Sequence, residues 1–122
     1  MADEKISYLE KELFNLEQLL QEQIAEKEAT KKLLEEIEFL KEIPSGQELI
    51  VPIARGIFAK LTIQQFKNFV VNVGNNVLVE KNLSEVKNLL QENIKIIDEN
   101  INAIKLQQEK IINYLKNMQN PD

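Results

Sequence analysis

Apolar residues in the first third of the chain recur at alternating steps of three and four: Ile6, Leu9, Leu13, Leu16 and Leu20. The same seven-residue frame passes Gln23, Lys27 and Thr30 and resumes at Leu34 and Ile37. A helix turns once per about 3.6 residues, so this spacing lines one side of a helix with the seam of a coiled coil. The last third repeats the pattern. Leu83, Leu90, Ile94, Ile97, Ile101, Ile104, Ile111, Leu115 and Met118 share one frame, interrupted at Lys87 and Gln108. Each seam needs a partner along its length, and the simplest partner for one is the other. The spacing therefore predicts an antiparallel pair in which Ile37 lies near Val86 and Ile6 near Met118, with both helix ends at one tip.

Where the helices stop is set by few residues, because the 122-residue chain has only three Gly and three Pro and no Trp. Pro44 and Gly46 end the first helix: Pro disfavours the helical region in the residue before it and lacks a donor. The first helix is expected over about 3–42, roughly 60 Å at about 1.5 Å per residue. Asn82 followed by Glu85 has the spacing of a capping box, which starts the second helix over about 83–118, roughly 54 Å. Gln23, Lys27 and Thr30 make the middle of the first seam weak, and the small Ala25 and Ala29 beside Ile24 are expected to let the partner approach there.

Between the helices the period changes. Residues 48–54, 57–63, 69–74 and 77–81 are β-branched and aromatic runs of strand length. Arg55-Gly56 and Gly74-Asn75-Asn76 are hairpin turns, since Gly and Asn tolerate positive φ, and the polar break 64–68 separates two hairpins. Pro52 cannot donate in a ladder and belongs at an edge or bulge. The fold class is α+β, mainly α: a long antiparallel two-helix coiled coil with four short strands, in two hairpins over about 47–81, as one domain spanning 1–122. Four short strands cannot close a barrel, so their edges and apolar faces need another subunit. The expected oligomer interface is Leu49, Val51, Ile53, Ile57, Phe58, Leu61, Phe69, Val71, Val73, Val77 and Val79.

Composition removes several kinds of function. With no Cys and no His, thiolate chemistry, disulfides and the commonest general base and metal ligand are gone. The pairs Glu35-Glu36 and Asp98-Glu99 sit at adjacent helix positions that face different directions, so they read as a solvated surface. No glycine-rich phosphate loop, nucleophile elbow or metal-ligand set occurs; no catalytic residue, metal or cofactor is expected, and the chain reads as a non-enzyme. Residues 1–42 carry six Lys against twelve acidic residues, which opposes nucleic-acid binding. No apolar run approaches the roughly 20 residues of a membrane span. The start of the chain lacks the basic-then-apolar build of a signal peptide, so a cytoplasmic location is expected.

Taken in order, Glu48-Leu49-Ile50-Val51-Pro52-Ile53-Ala54, Ile57-Phe58-Ala59-Lys60, Val70-Val71-Asn72-Val73-Gly74 and Val79-Glu80-Lys81 running into the second helix resemble prefoldin, specifically its alpha-type subunits. The resemblance covers nearly all 122 residues. It departs at Gly74-Asn75-Asn76, where the alpha type often has a Gly-rich turn. The resemblance implies an ATP-independent chaperone subunit. Its hairpins would build a platform with beta-type prefoldin subunits or with copies of itself, the latter as in homo-oligomeric filament-forming relatives. Its coiled-coil tips would hold unfolded polypeptide clients and pass them to a group II chaperonin.

On that implication the client-binding residues are those near the tip: Ile6, Leu9, Leu13 and Phe14 on the first helix, and Ile111, Ile112, Tyr114, Leu115 and Met118 on the second. Phe14, Ile112 and Tyr114 fall off the seam. Acidic Glu10, Glu12 and Glu17 among them are expected to favour basic or neutral clients. The alternative is a structural coiled-coil protein that self-assembles through its hairpins into a filament or scaffold, with inert tips.

Overall fold

A computed structural model describes residues 2–64 and 66–119, apart from the side chains of Ala2, Lys41 and Gln119. Gln65, in the expected polar break, lies outside the described residues. Helix α1 spans Ala2–Phe39 and continues as one turn of 3₁₀ helix, Leu40–Glu42. Strands β1 (Glu48–Ala54), β2 (Ile57–Thr62), β3 (Phe69–Asn72) and β4 (Leu78–Lys81) follow, and helix α2 spans Leu83–Gln119. The strands form two separate antiparallel hairpins, β1 with β2 and β3 with β4.

The boundaries come from local chemistry. Ile43, ahead of Pro44, is extended (φ −72°, ψ 118°), which stops the helix. The β1–β2 turn places Arg55 and Gly56 at φ 52° and 78°, the left-handed pair that a two-residue turn needs to match strand twist. The β3–β4 turn sets Gly74, Asn75 and Asn76 at positive φ, and the Asn72 side-chain oxygen accepts from the Gly74 N–H at 2.9 Å. At the start of α2 the Asn82 N–H donates to Glu85 Oε1 (3.1 Å), and the Glu85 N–H donates to Asn82 Oδ1 (2.8 Å). Those two bonds are the reciprocal capping box.

The chain divides into two compact units. The first, Met1–Lys31 with Gln91–Asp122, holds the start of α1 and most of α2. Its core is Leu20, Ile97, Ile101 and Ile104, with Leu16 and Ile24 packed against it. Cross-helix contacts fix an antiparallel register there: Glu17 with Gln108 (2.9 Å), Gln23 with Asn100 (3.4 Å) and Lys27 with Asp98 (2.6 Å). The weak middle of the seam is thus bridged by polar pairs. Thr30 is buried, and its hydroxyl donates to the Glu26 carbonyl at 2.8 Å, so it leaves no unmet donor. Ala25 and Ala29 are exposed, contrary to expectation. They sit two residues past Gln23 and Lys27, about 200° around the helix, and so face away from the partner.

The second unit, Lys32–Leu90, holds the end of α1, both hairpins and the start of α2. Its core is Ile37, Leu83, Val86 and Leu90, with Leu34, Phe69 and Val71 against it, and Lys87 pairs with Glu38 across the helices. Ile37 and Val86 do meet. Val86 lies off the heptad frame of α2 and is buried all the same, because β3 packs against the helices there.

Candidate functional site

Two surfaces carry the residues singled out above: the hairpins and the ends of the helix pair. In hairpin β1–β2 the partners are Glu48–Thr62, Leu49–Leu61, Ile50–Lys60, Val51–Ala59, Pro52–Phe58 and Ala54–Ile57, with a register shift between Pro52 and Ala54. Opposite residues share a face, so Leu49, Val51, Ala59 and Leu61 form one apolar face. Ile50, Pro52 and Phe58 lie on the other with Glu48 and Lys60, whose charges are 3.7 Å apart. Of the expected interface residues, Leu49, Ile53, Ile57, Phe58, Leu61, Val73, Val77 and Val79 are exposed and Val51 is half-buried.

Phe69 and Val71 are different. They are half-buried against the chain's own helices, so the interior-facing side of β3 is already used. Phe66 meets Phe69 edge-on at 4.8 Å, which holds that ring further in place. Ile50, Val70 and Leu78 were not among the expected interface residues. Each is more than 60% exposed, and each lies on the opposite strand face from its expected neighbours. The two-residue alternation within each run is the sequence signal for these exposed positions.

At the other surface, Phe14 is 61% exposed, and Ile112 and Tyr114 are exposed as their off-seam positions require. Ile6, Leu9, Leu13 and Met118 are half-buried. Ile111 and Leu115 are buried in the seam and present little surface. Leu9, Ile111 and Tyr114 line an open groove of about 270 Å³ whose rim is Lys5 and Lys110. The Lys5 ammonium lies 5.0 Å from the Tyr114 ring centre, a cation–π distance. The expected acidic surround of the tip is therefore not what borders this groove; two lysines do. Glu17 lies further along, where Gln108 and Gln21 donate to its carboxylate and hold its pKa below the usual range.

No group of three or more acidic side chains among the described residues could hold a metal ion. No helix among them is long and apolar enough to cross a membrane.

The model of the family described as "Prefoldin subunit" matches residues 2–120. Among similar proteins, Prefoldin subunit alpha of Thermofilum pendens is 35% identical over 75 residues, covering 62% of this chain and 56% of its own length. Prefoldin subunit alpha of Methanococcus maripaludis is 25% identical over 108 residues, covering 88% of this chain and 68% of its own. The chain spans about half the length of several of these relatives, 51% in the case of Archaeoglobus fulgidus. Among solved structures, filamentous PFD from Methanocaldococcus jannaschii superposes with a TM-score of 0.86 at 15% identity, covering 98% of this chain and 99% of that one.

Proposed function

Because the chain belongs to the prefoldin family, a family of chaperone subunits, we propose that it is an ATP-independent holdase subunit that binds unfolded polypeptide at the open end of its helix pair. The supporting observation is the open groove lined by Leu9, Ile111 and Tyr114, with Phe14 and Ile112 also exposed toward the same end of the helix pair. A holdase must accept many sequences and release them, which calls for several weak apolar contacts instead of one tight pocket. An open groove with loose apolar neighbours has that character. The hairpins, with apolar residues exposed on both faces, would join the subunit to beta-type partners, to copies of itself, or to both. Hand-over to a group II chaperonin and work in the cytoplasm complete the reading.

The test is aggregation of a chemically unfolded model protein, followed by light scattering without ATP. The assembled chain should suppress it at stoichiometric amounts. The variant Phe14→Ser/Ile112→Ser/Tyr114→Ser should lose that protection at unchanged assembly size. Equal protection by the variant would place client binding elsewhere.

A second reading, a scaffold with inert helix ends, draws on the same exposed hairpins. It predicts ordered assembly with no effect on aggregation at any ratio.

A further inference from the structure

Each hairpin leaves two strand edges unpaired within the chain, and in β1–β2 the two edges are not equivalent. The Ile63 N–H donates to the Gln47 carbonyl at 2.9 Å just beyond the ladder. Hydrogen-bonded and non-hydrogen-bonded pairs alternate in an antiparallel ladder, so Leu49–Leu61 and Val51–Ala59 are the bonded pairs. The backbone groups of Glu48, Ile50 and Pro52 on β1, and of Phe58, Lys60 and Thr62 on β2, therefore point outward. Pro52 has no N–H to offer, and the register shift after it bends β1 at the same place. The outer edge of β1 is broken; that of β2 presents three evenly spaced sets of donor and acceptor.

The second hairpin has the same alternation. Val73 N–H donates to the Val77 carbonyl at 3.0 Å, which turns Val70 and Asn72 of β3 and Leu78 and Glu80 of β4 outward. Charge then chooses among the possible strand partners. Two β2 edges paired to overlap all three outward residues would set Lys60 against Lys60, and like charges directly opposite destabilise a sheet. The outward residues of β3 carry no charge. Those of β4 include Glu80, and both Lys60 and Glu80 are exposed.

We propose that β2 of one copy adds antiparallel to β4 of a second copy, with Lys60 opposite Glu80 and Thr62 opposite Leu78. This rests on the reading that the hairpins drive assembly and specifies how. The contact joins two different edges, so it either closes reciprocally in a two-fold dimer, each copy giving β2 to the other's β4, or repeats into a ring or an open filament.

Because the chain has no Cys, single cysteines report the pairing directly. Opposite residues in a bonded antiparallel pair have Cα atoms about 5.5 Å apart, inside the disulfide range of about 4.4–6.8 Å. Mixing the full-length Lys60→Cys and Glu80→Cys chains under mild oxidation should give covalent dimers; either chain alone should not, nor should Ile50→Cys with Glu80→Cys. Lys60→Glu should reduce the assembly to single chains, and Lys60→Glu/Glu80→Lys should restore it. Restoration is the decisive arm, because Lys60→Glu also confronts Glu48 in its own hairpin, a clash that Glu80→Lys cannot relieve. A full-size assembly that forms no link between these two positions, or that links Lys60→Cys chains to each other, overturns this strand pairing while leaving hairpin assembly intact. A wild-type chain that stays single at every concentration overturns this pairing together with assembly between copies, and leaves only the hairpin assembly with beta-type partners.

Discussion

Lys27 and Asp98 meet across the helix pair at 2.6 Å, in a seam where a heptad coiled coil ordinarily places leucine. Neither side chain is fully buried (25% and 45% exposed), so solvent screens the pair. Such a pair contributes at most about 1 kcal/mol, whereas a leucine buried in its place contributes about 1.5–3 kcal/mol. Lys27→Leu should therefore raise the thermal unfolding midpoint and weaken its dependence on salt. A lowered midpoint would show that the ion pair outweighs the burial it displaces.

The polar stretch has a dynamic consequence. Amide hydrogen exchange should be faster around Gln23, Lys27 and Thr30 than around Leu34, Ile37 and Leu90, since less apolar burial opposes local opening. Uniform protection along α1 would contradict this.

The capping box offers a local test. Asn82→Ala removes the acceptor for the Glu85 N–H and should cost about 1 kcal/mol, within the usual range for a lost N-cap. Chemical denaturation followed by helix content measures it, and a loss below a few tenths of a kcal/mol would mean that β4 alone positions the helix start.

Strand substitutions should separate by face. Val71→Asp puts a charge against Leu83, Val86 and their neighbours and should destabilise the chain by about 1–3 kcal/mol. Val70→Asp, on the exposed face of the same strand, should leave unfolding nearly unchanged and reduce assembly size. Equal effects on unfolding from the two would refute the assigned orientation of β3.

Glu17 makes the helix pair sensitive to acid. Its pKa is held low first by Gln108 and then by Gln21, so its ionised form is favoured in the folded state. That contribution is fully present above the ordinary glutamate value of about 4.3 and is lost as pH falls through the depressed folded value. Gln108→Leu should move the Glu17 titration, followed by carboxyl NMR, back up toward the ordinary value. An unmoved titration would show that the cross-helix bond does not form in solution.

Much of the architecture was legible in the order of residues because it depends on near neighbours. Seam spacing, Pro44, the Asn82–Glu85 box and the Arg55-Gly56 turn act within a few positions, so helix limits and strand starts could be read within about three residues. Which seam residues remain available to another molecule could not. Ile111 and Leu115 look no different in sequence from Met118, yet they are buried while Met118 is half-buried, because access depends on what α1 places opposite.

The sequence by itself determined the periodicities, the caps and the turns, since each is a local preference of backbone and side chain. Only the tertiary structure decided which side of β3 is spent on the chain's own helices, which polar groups bridge the weak seam, and that lysines instead of glutamates rim the groove beside Tyr114. Those outcomes depend on groups brought together from distant parts of the chain, and no local preference encodes which of them will meet.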